Sequence, residues 1–130
     1  MNTPSKEDII RIKIAKAIRT LSEAEKMIEF NYSNAALNRL YYACFYAASA
    51  LLFSKDIFTK THSGIKQMLG MHFINTGLLS APLGHFYSNI FRSRQGYDYD
   101  DLEDADMGMV RELATTAKEF VDESRKILFL

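Results

Sequence analysis

The chain has 130 residues, 48% of them hydrophobic and 25% charged, with 16 basic and 16 acidic side chains. That is one domain with enough apolar material for a real core. The zero net charge excludes a global basic field of the kind that marks many nucleic-acid binders. The first half carries +3 and the second −3, too small an asymmetry to choose a partner. The single cysteine, Cys44, excludes a disulfide within the chain. With only three histidines, scattered, no metal-ligand spacing occurs, and neither metal nor cofactor is expected. The amino terminus lacks the basic-then-apolar layout of a signal peptide, so the cytoplasm is the expected compartment.

Residues 5–30 predict the first helix. Ser5 and Asp8 approximate a capping box, and Pro4 suits a helix start. Ile10, Ile14, Ala17, Leu21, Ala24 and Ile28 recur at helical spacing, while Lys6, Lys13, Lys16 and Arg19 lie off that stripe and read as a solvated face. Asn31-Tyr32-Ser33 is a short turn, with Ser33 or Asn34 to cap the second helix. That helix contains Asn38–Phe53, a run without charge after Arg39 and apolar on nearly every side, so it belongs at the centre of a bundle. The run is short of the roughly 20 apolar residues that cross a bilayer.

Thr61 is a plausible cap for a third helix over His62–Asn75, with Ile65, Met68, Leu69 and Phe73 on one side. Gly77 suits its termination. Ser80 and Pro82 open a fourth helix over Ala81–Gln95, and Gly96 with Tyr97–Asp101 should break it. Asp101 would cap the last helix, Leu102–Leu128, placing Asp104 in its first turn and burying Val110, Leu113, Ala117, Phe120 and Val121. The fold expected is all-α, an up-and-down bundle of four or five helices forming a single domain over 1–130.

The end of the fourth helix is the informative stretch. At about 100° per residue, Leu83, Ile90 and Arg94 fall on nearly one line, and Arg92 points the opposite way. Arg94 should therefore face inward and Arg92 solvent. An inward arginine needs a partner, and either an acid (Asp98 or Asp101) or a bidentate phosphate would serve. Among the histidines, His62 opens the third helix, where it can help bind an anion. His72 and His85 sit in no catalytic arrangement.

LYYACFYAASALLF, THSGIKQMLGMHFINTGLL and RSRQGYDYDD together resemble the HEPN domain family (higher eukaryotes and prokaryotes nucleotide-binding) over roughly residues 6–128. The resemblance implies a helical bundle, usually a homodimer. It also implies RNA or nucleotide binding, metal-independent ribonuclease activity in many members, and in others a toxin role beside a nucleotidyltransferase. The ribonucleases carry an arginine, four to six residues, then a histidine. Here Arg94 with four intervening residues reaches Tyr99, and Arg92 in the alternative register reaches Tyr97; neither reaches a histidine. Gln95 after Arg94 favours the first register, as does the inward direction of Arg94. The second would put Tyr99 where some partners adenylylate a tyrosine.

A phenol with an ordinary pKa of about 10 cannot carry a histidine's proton transfer near neutral pH. The expectation is therefore a HEPN-type chain that binds RNA or nucleotide phosphate through Arg94, with Arg92, Gln95, Tyr97, Tyr99 and His62 around it, in a toxin–antitoxin-like pair with a nucleotidyltransferase. One alternative is a weak endoribonuclease using Arg94 and Tyr99; another is an interaction module without ligand.

Overall fold

The computed structural model describes residues 3–99 and 104–130, and for residues 96–99 the backbone path only. Five helices follow in order: α1, Lys6–Glu29; α2, Ser33–Ser54; α3, His62–Leu69; α4, Ala81–Tyr99; and α5, Met107–Ile127. A π-helical turn, Gly70–Ile74, continues α3. The bundle is all-α, as the sequence implies, and no helix among the described residues is long and apolar enough to cross a membrane.

α2 is the axis. Half of its residues are buried, including Leu37, Leu40, Tyr41, Cys44, Ala47, Leu51 and Leu52. Its alanines let neighbouring backbones approach, while Tyr41, Tyr87, Phe73 and Phe120 fill the volume between helices. α1 lies along α2, α5 packs against both, and α4 packs against α2 and α5. Tyr87 of α4 stacks on Phe120 of α5 at 5.5 Å.

Local chemistry fixes the ends. Ser5 accepts from the Asp8 amide while the Asp8 carboxylate accepts from that of Ser5, each at 3.1 Å, completing the expected capping box. Asn31 takes the left-handed conformation (φ 63°) that turns α1 into α2, a geometry asparagine tolerates well. Gly77 (φ 78°) closes the segment after α3.

Four boundaries differ from the expectation. α2 begins with Tyr32 as its cap and no side-chain capping bond. Asn34 is used elsewhere: its amide donates to Asp104 at 3.0 Å and its carbonyl oxygen accepts from the Ala105 amide at 2.7 Å. The third helix relaxes into the π turn from Gly70, in the glycine-containing part of the sequence where helix propensity is weakest. α4 does not stop at Gln95 but runs through Gly96 to Tyr99. α5 starts at Met107, because Asp106 caps it by accepting from the Met109 amide at 2.9 Å, so Asp104 lies ahead of the helix rather than in its first turn. The proposed cap Asp101 is outside the described residues.

Asn34 thus ties the start of α2 to the approach of α5. Asn34→Ala would strip the Ala105 amide of its partner, a loss of about 1–3 kcal/mol. Urea denaturation should show a lower midpoint with an unchanged slope; an unchanged midpoint would contradict this role.

Candidate functional site

Three elements converge where α4 passes the middle of α2. α2 contributes the adjacent rings Tyr41 and Tyr42, edge-on to each other at 5.3 Å. Successive residues on one helix normally face apart; here Tyr41 points into the core and Tyr42 toward the surface, so the pair forms a step at its edge. α4 contributes Arg94, half-buried, its guanidinium carbon 5.4 Å from the centroids of both rings. One of its Nη atoms donates to the Tyr42 hydroxyl at 3.3 Å. The inward direction read from Leu83 and Ile90 is thereby correct: Ile90 is fully buried, and Arg94 continues its line.

The third element is the start of α3. Thr61 caps it, accepting from the Gly64 amide at 2.9 Å, and this sets the first helical residue, His62, against α2. The imidazole stacks on Phe45 at 4.5 Å, and its Nδ1 shares a 2.6 Å hydrogen bond with the Tyr41 hydroxyl. His62 does not stand at a helix end open to solvent on all sides. The buried Tyr41 phenol draws it inward, since a buried hydroxyl without a partner is costly.

Burial, and then the Arg94 charge, hold the His62 imidazole below its ordinary pKa of 6.5. Tyr41 is pushed up to about 12, chiefly by burial and against the opposing effects of the Tyr87 hydroxyl and Arg94. Tyr87, buried just behind Tyr41, is raised by the same desolvation. At neutral pH the site therefore combines a permanent cation, a neutral imidazole and two protonated phenols behind it. Oxyanion binding and proton transfer are both within the reach of that set.

The other expected residues are placed unequally. Arg92 is exposed and donates to Asn89, away from the cluster, as its helical position required. Gln95 is exposed in the next position. Tyr97 and Tyr99 lie in the last turn of α4, with side chains outside the described residues, as are those of Asp98 and Asp101. Helical spacing reads Tyr41 and Tyr42 as core, which the fully buried Tyr41 is; that the pair also borders Arg94 and His62 was not read from the sequence, where the histidine 21 positions beyond Tyr41 was the available signal. Among the described residues no group of histidine, cysteine or carboxylate side chains could hold a metal ion.

A family model described as the HEPN domain matches residues 10–127, nearly the whole bundle. The chain belongs to the HEPN domain family. It is 32% identical over 123 residues to a UPF0332 protein of Thermotoga maritima, covering 95% of this chain and 93% of the relative. Two relatives in Methanocaldococcus jannaschii bear the names "Putative toxin MJ0142" and "Putative toxin MJ0605". Each is 30% identical; the first alignment covers 88% of this chain and 78% of the relative, the second 98% and 94%.

The low His62 pKa has a signed consequence. The folded state disfavours the imidazolium, so His62 contributes stability above pH 6.5 that is lost as pH falls through the lower folded value. Wild type should lose more stability than His62→Gln on acidification from pH 7 through that window. In Arg94→Ala, NMR titration should show His62 gaining its proton at higher pH than in wild type. An unmoved titration would mean that Arg94 does not act on the imidazole.

Proposed function

We propose that this HEPN chain binds RNA through its phosphates, with Arg94 as the anchoring cation and His62 beside it. The observation that carries the reading is the position of Arg94: its guanidinium carbon lies 5.4 Å from the centroids of both Tyr41 and Tyr42 at the rim of the core, close enough to join burial in lowering the pKa of the His62 imidazole. A guanidinium on an aromatic shelf is partly desolvated and held in one plane, which suits bidentate recognition of a phosphate. Of the two rings only the half-buried Tyr42 has exposed surface on which a base could stack. Gln95, exposed beside Arg94 in the chain, and Tyr97 and Tyr99 of the last turn of α4 would complete the contact surface, with Arg92 on the opposite side of α4 as an outlying cation.

The toxin names of two relatives support a role in a toxin–antitoxin-like pair; that the chain works there as a homodimer beside a nucleotidyltransferase is the form we propose for it. RNA is a target whose binding or damage would arrest a cell, so the two strands of the reading agree.

Arg94→Ala should weaken binding of a short single-stranded RNA by about 10- to 100-fold, the usual effect of losing a charge-assisted contact of roughly 1.5–3 kcal/mol. Arg94→Lys should recover part of it. Fluorescence anisotropy decides this, with the melting temperature as a control for folding. Equal affinities in wild type and Arg94→Ala would overturn the assignment.

A second reading, endoribonuclease activity, is favoured by His62 itself. The histidine that the resemblance leads one to expect after Arg94 is missing, and Tyr99 stands there, yet an imidazole from α3 lies close enough to feel the arginine's charge. In the tautomer with Nδ1 protonated, Tyr41 accepts that proton in the hydrogen bond and Nε2 presents a lone pair. Nε2 would take the proton of a ribose 2′-hydroxyl whose oxygen attacks the adjacent phosphorus. The bond to the 5′-oxygen breaks, that oxygen leaves with the electron pair and is protonated by water, and His62 returns its proton to solvent. This reading predicts RNA cleavage in the presence of chelator that falls about 10²–10⁴-fold in His62→Gln while RNA affinity is retained. If wild type leaves RNA intact at high protein concentration, the chain is a binder only. If cleavage survives in His62→Gln but not in Tyr99→Phe, the phenol after α4 does the chemistry instead.

A further inference from the structure

The basic face of α1, which by sequence alone reads as solvated, leans onto α2 and covers a row of aromatic rings. Along α2, Tyr42, Tyr46, Ser49 and Phe53 follow one another at four-, three- and four-residue steps, a single line on one helix face. A cation lies over each ring of that line. Arg39 sits 5.3 Å from the Tyr42 centroid, Lys16 4.6 Å from Tyr46 and Lys13 5.6 Å from Phe53. Lys13 also donates to the Ser49 hydroxyl at 3.0 Å, which fixes the antiparallel register of the two helices along the seam. Arg94 overlies the first ring of the row, so the row begins at the site already described.

The charge of this seam is one-sided. Among the described residues neither Lys13 nor Lys16 meets a carboxylate, and Lys13 is held below its ordinary pKa by burial and by Lys16. Two acids border the seam at its ends: Glu23, 3.6 Å from Arg39, and Asp56, paired with Lys6 beyond Phe53. The rings are half-buried rather than closed over, and at the far end Phe53 meets Phe58 edge-on at 5.2 Å, with Phe58 70% exposed. α5 packs on both α1 and α2, and no residue of this row is fully buried.

We propose that this α1–α2 seam is a track for single-stranded RNA, leading from the Arg94 site along Tyr42 and Tyr46 to Phe53 and Phe58. The inference rests on the RNA-binding reading above and extends it from one phosphate to a strand. A cation parked on an aromatic face is a site in waiting for a nucleotide. The lysine turns to the phosphate, and the uncovered ring face receives the base. Alternation of cations with rings is the chemistry of sequence-tolerant single-strand binding, in which each base has a face to stack and each phosphate a charge to meet. From Tyr42 to Phe53 the line spans roughly 16 Å, room for a few nucleotides.

Length separates the track from the Arg94 site. A dinucleotide, ApA, can occupy only the Arg94 end, whereas an oligoadenylate octamer reaches the lysines. In Lys13→Ala/Lys16→Ala the octamer should bind at least tenfold more weakly, and its slope of log affinity against log salt should be shallower by about 1.4. Its ApA affinity should match wild type, which also shows that the bundle remains folded, and Tyr46→Leu should weaken the octamer alone. An octamer that binds the double variant as tightly as wild type overturns the track while leaving the Arg94 reading intact. Loss of all octamer discrimination between wild type and Arg94→Ala overturns that reading, and absence of any RNA binding by wild type overturns both. Sedimentation equilibrium adds a further check. If the double variant converts a dimer to a monomer with octamer affinity unchanged, the seam is a contact between two copies of the chain and the proposal falls.

Discussion

A phenol buried at the centre of a bundle has to keep a hydrogen-bond partner, and in this chain that requirement joins the core to the surface. Tyr41 is completely buried, and the partner of its hydroxyl is the His62 imidazole, carried in by the first turn of α3. The hydrogen bond sets the direction of the ring, and its stacking on Phe45 sets the plane. The same two tyrosines support Arg94 from α4. The core and the charged rim therefore meet in one set of atoms. The helix that organises the core is also the shelf on which the charged groups rest.

That dual use explains what could be read from the sequence and what could not. The centrality of α2 follows from an uncharged stretch that is apolar all round, and the inward face of Arg94 follows from its alignment with Leu83 and Ile90. Both are properties of a residue relative to its own helix. The company each residue keeps depends on a neighbouring helix, and periodicity says nothing about that. Tyr41 and Tyr42 accordingly read as core alone, His62 as a helix-end anion binder, and Lys13 and Lys16 as solvated. In the fold Tyr42 is at the rim, His62 turns toward a phenol, and both lysines lie over aromatic rings.

The boundary errors have the same origin. Asp101 and Asp106 are equally good caps by residue type, and what favours the later start is Asn34, 71 residues away from the Ala105 amide that it holds. Gly96 was expected to end α4, yet a glycine costs a helix only about 1 kcal/mol, less than packing returns. Membership of the HEPN family was legible because its signals are whole segments, spread over three helices, rather than single contacts. The neighbour that His62 finds in the Tyr41 hydroxyl, by contrast, is a single contact between α2 and α3 that spacing along the chain does not give.

The central claim is that Arg94 and His62 face one phosphate. The most direct measurement is the ¹⁵N spectrum of the histidine rings in wild-type protein as a short single-stranded RNA is added. The account predicts that the His62 ring nitrogens shift in proportion to bound RNA, with Nε2 moving most, while His72 and His85 stay in place. RNA binding that leaves the His62 signals unmoved would place the ligand elsewhere and contradict the account.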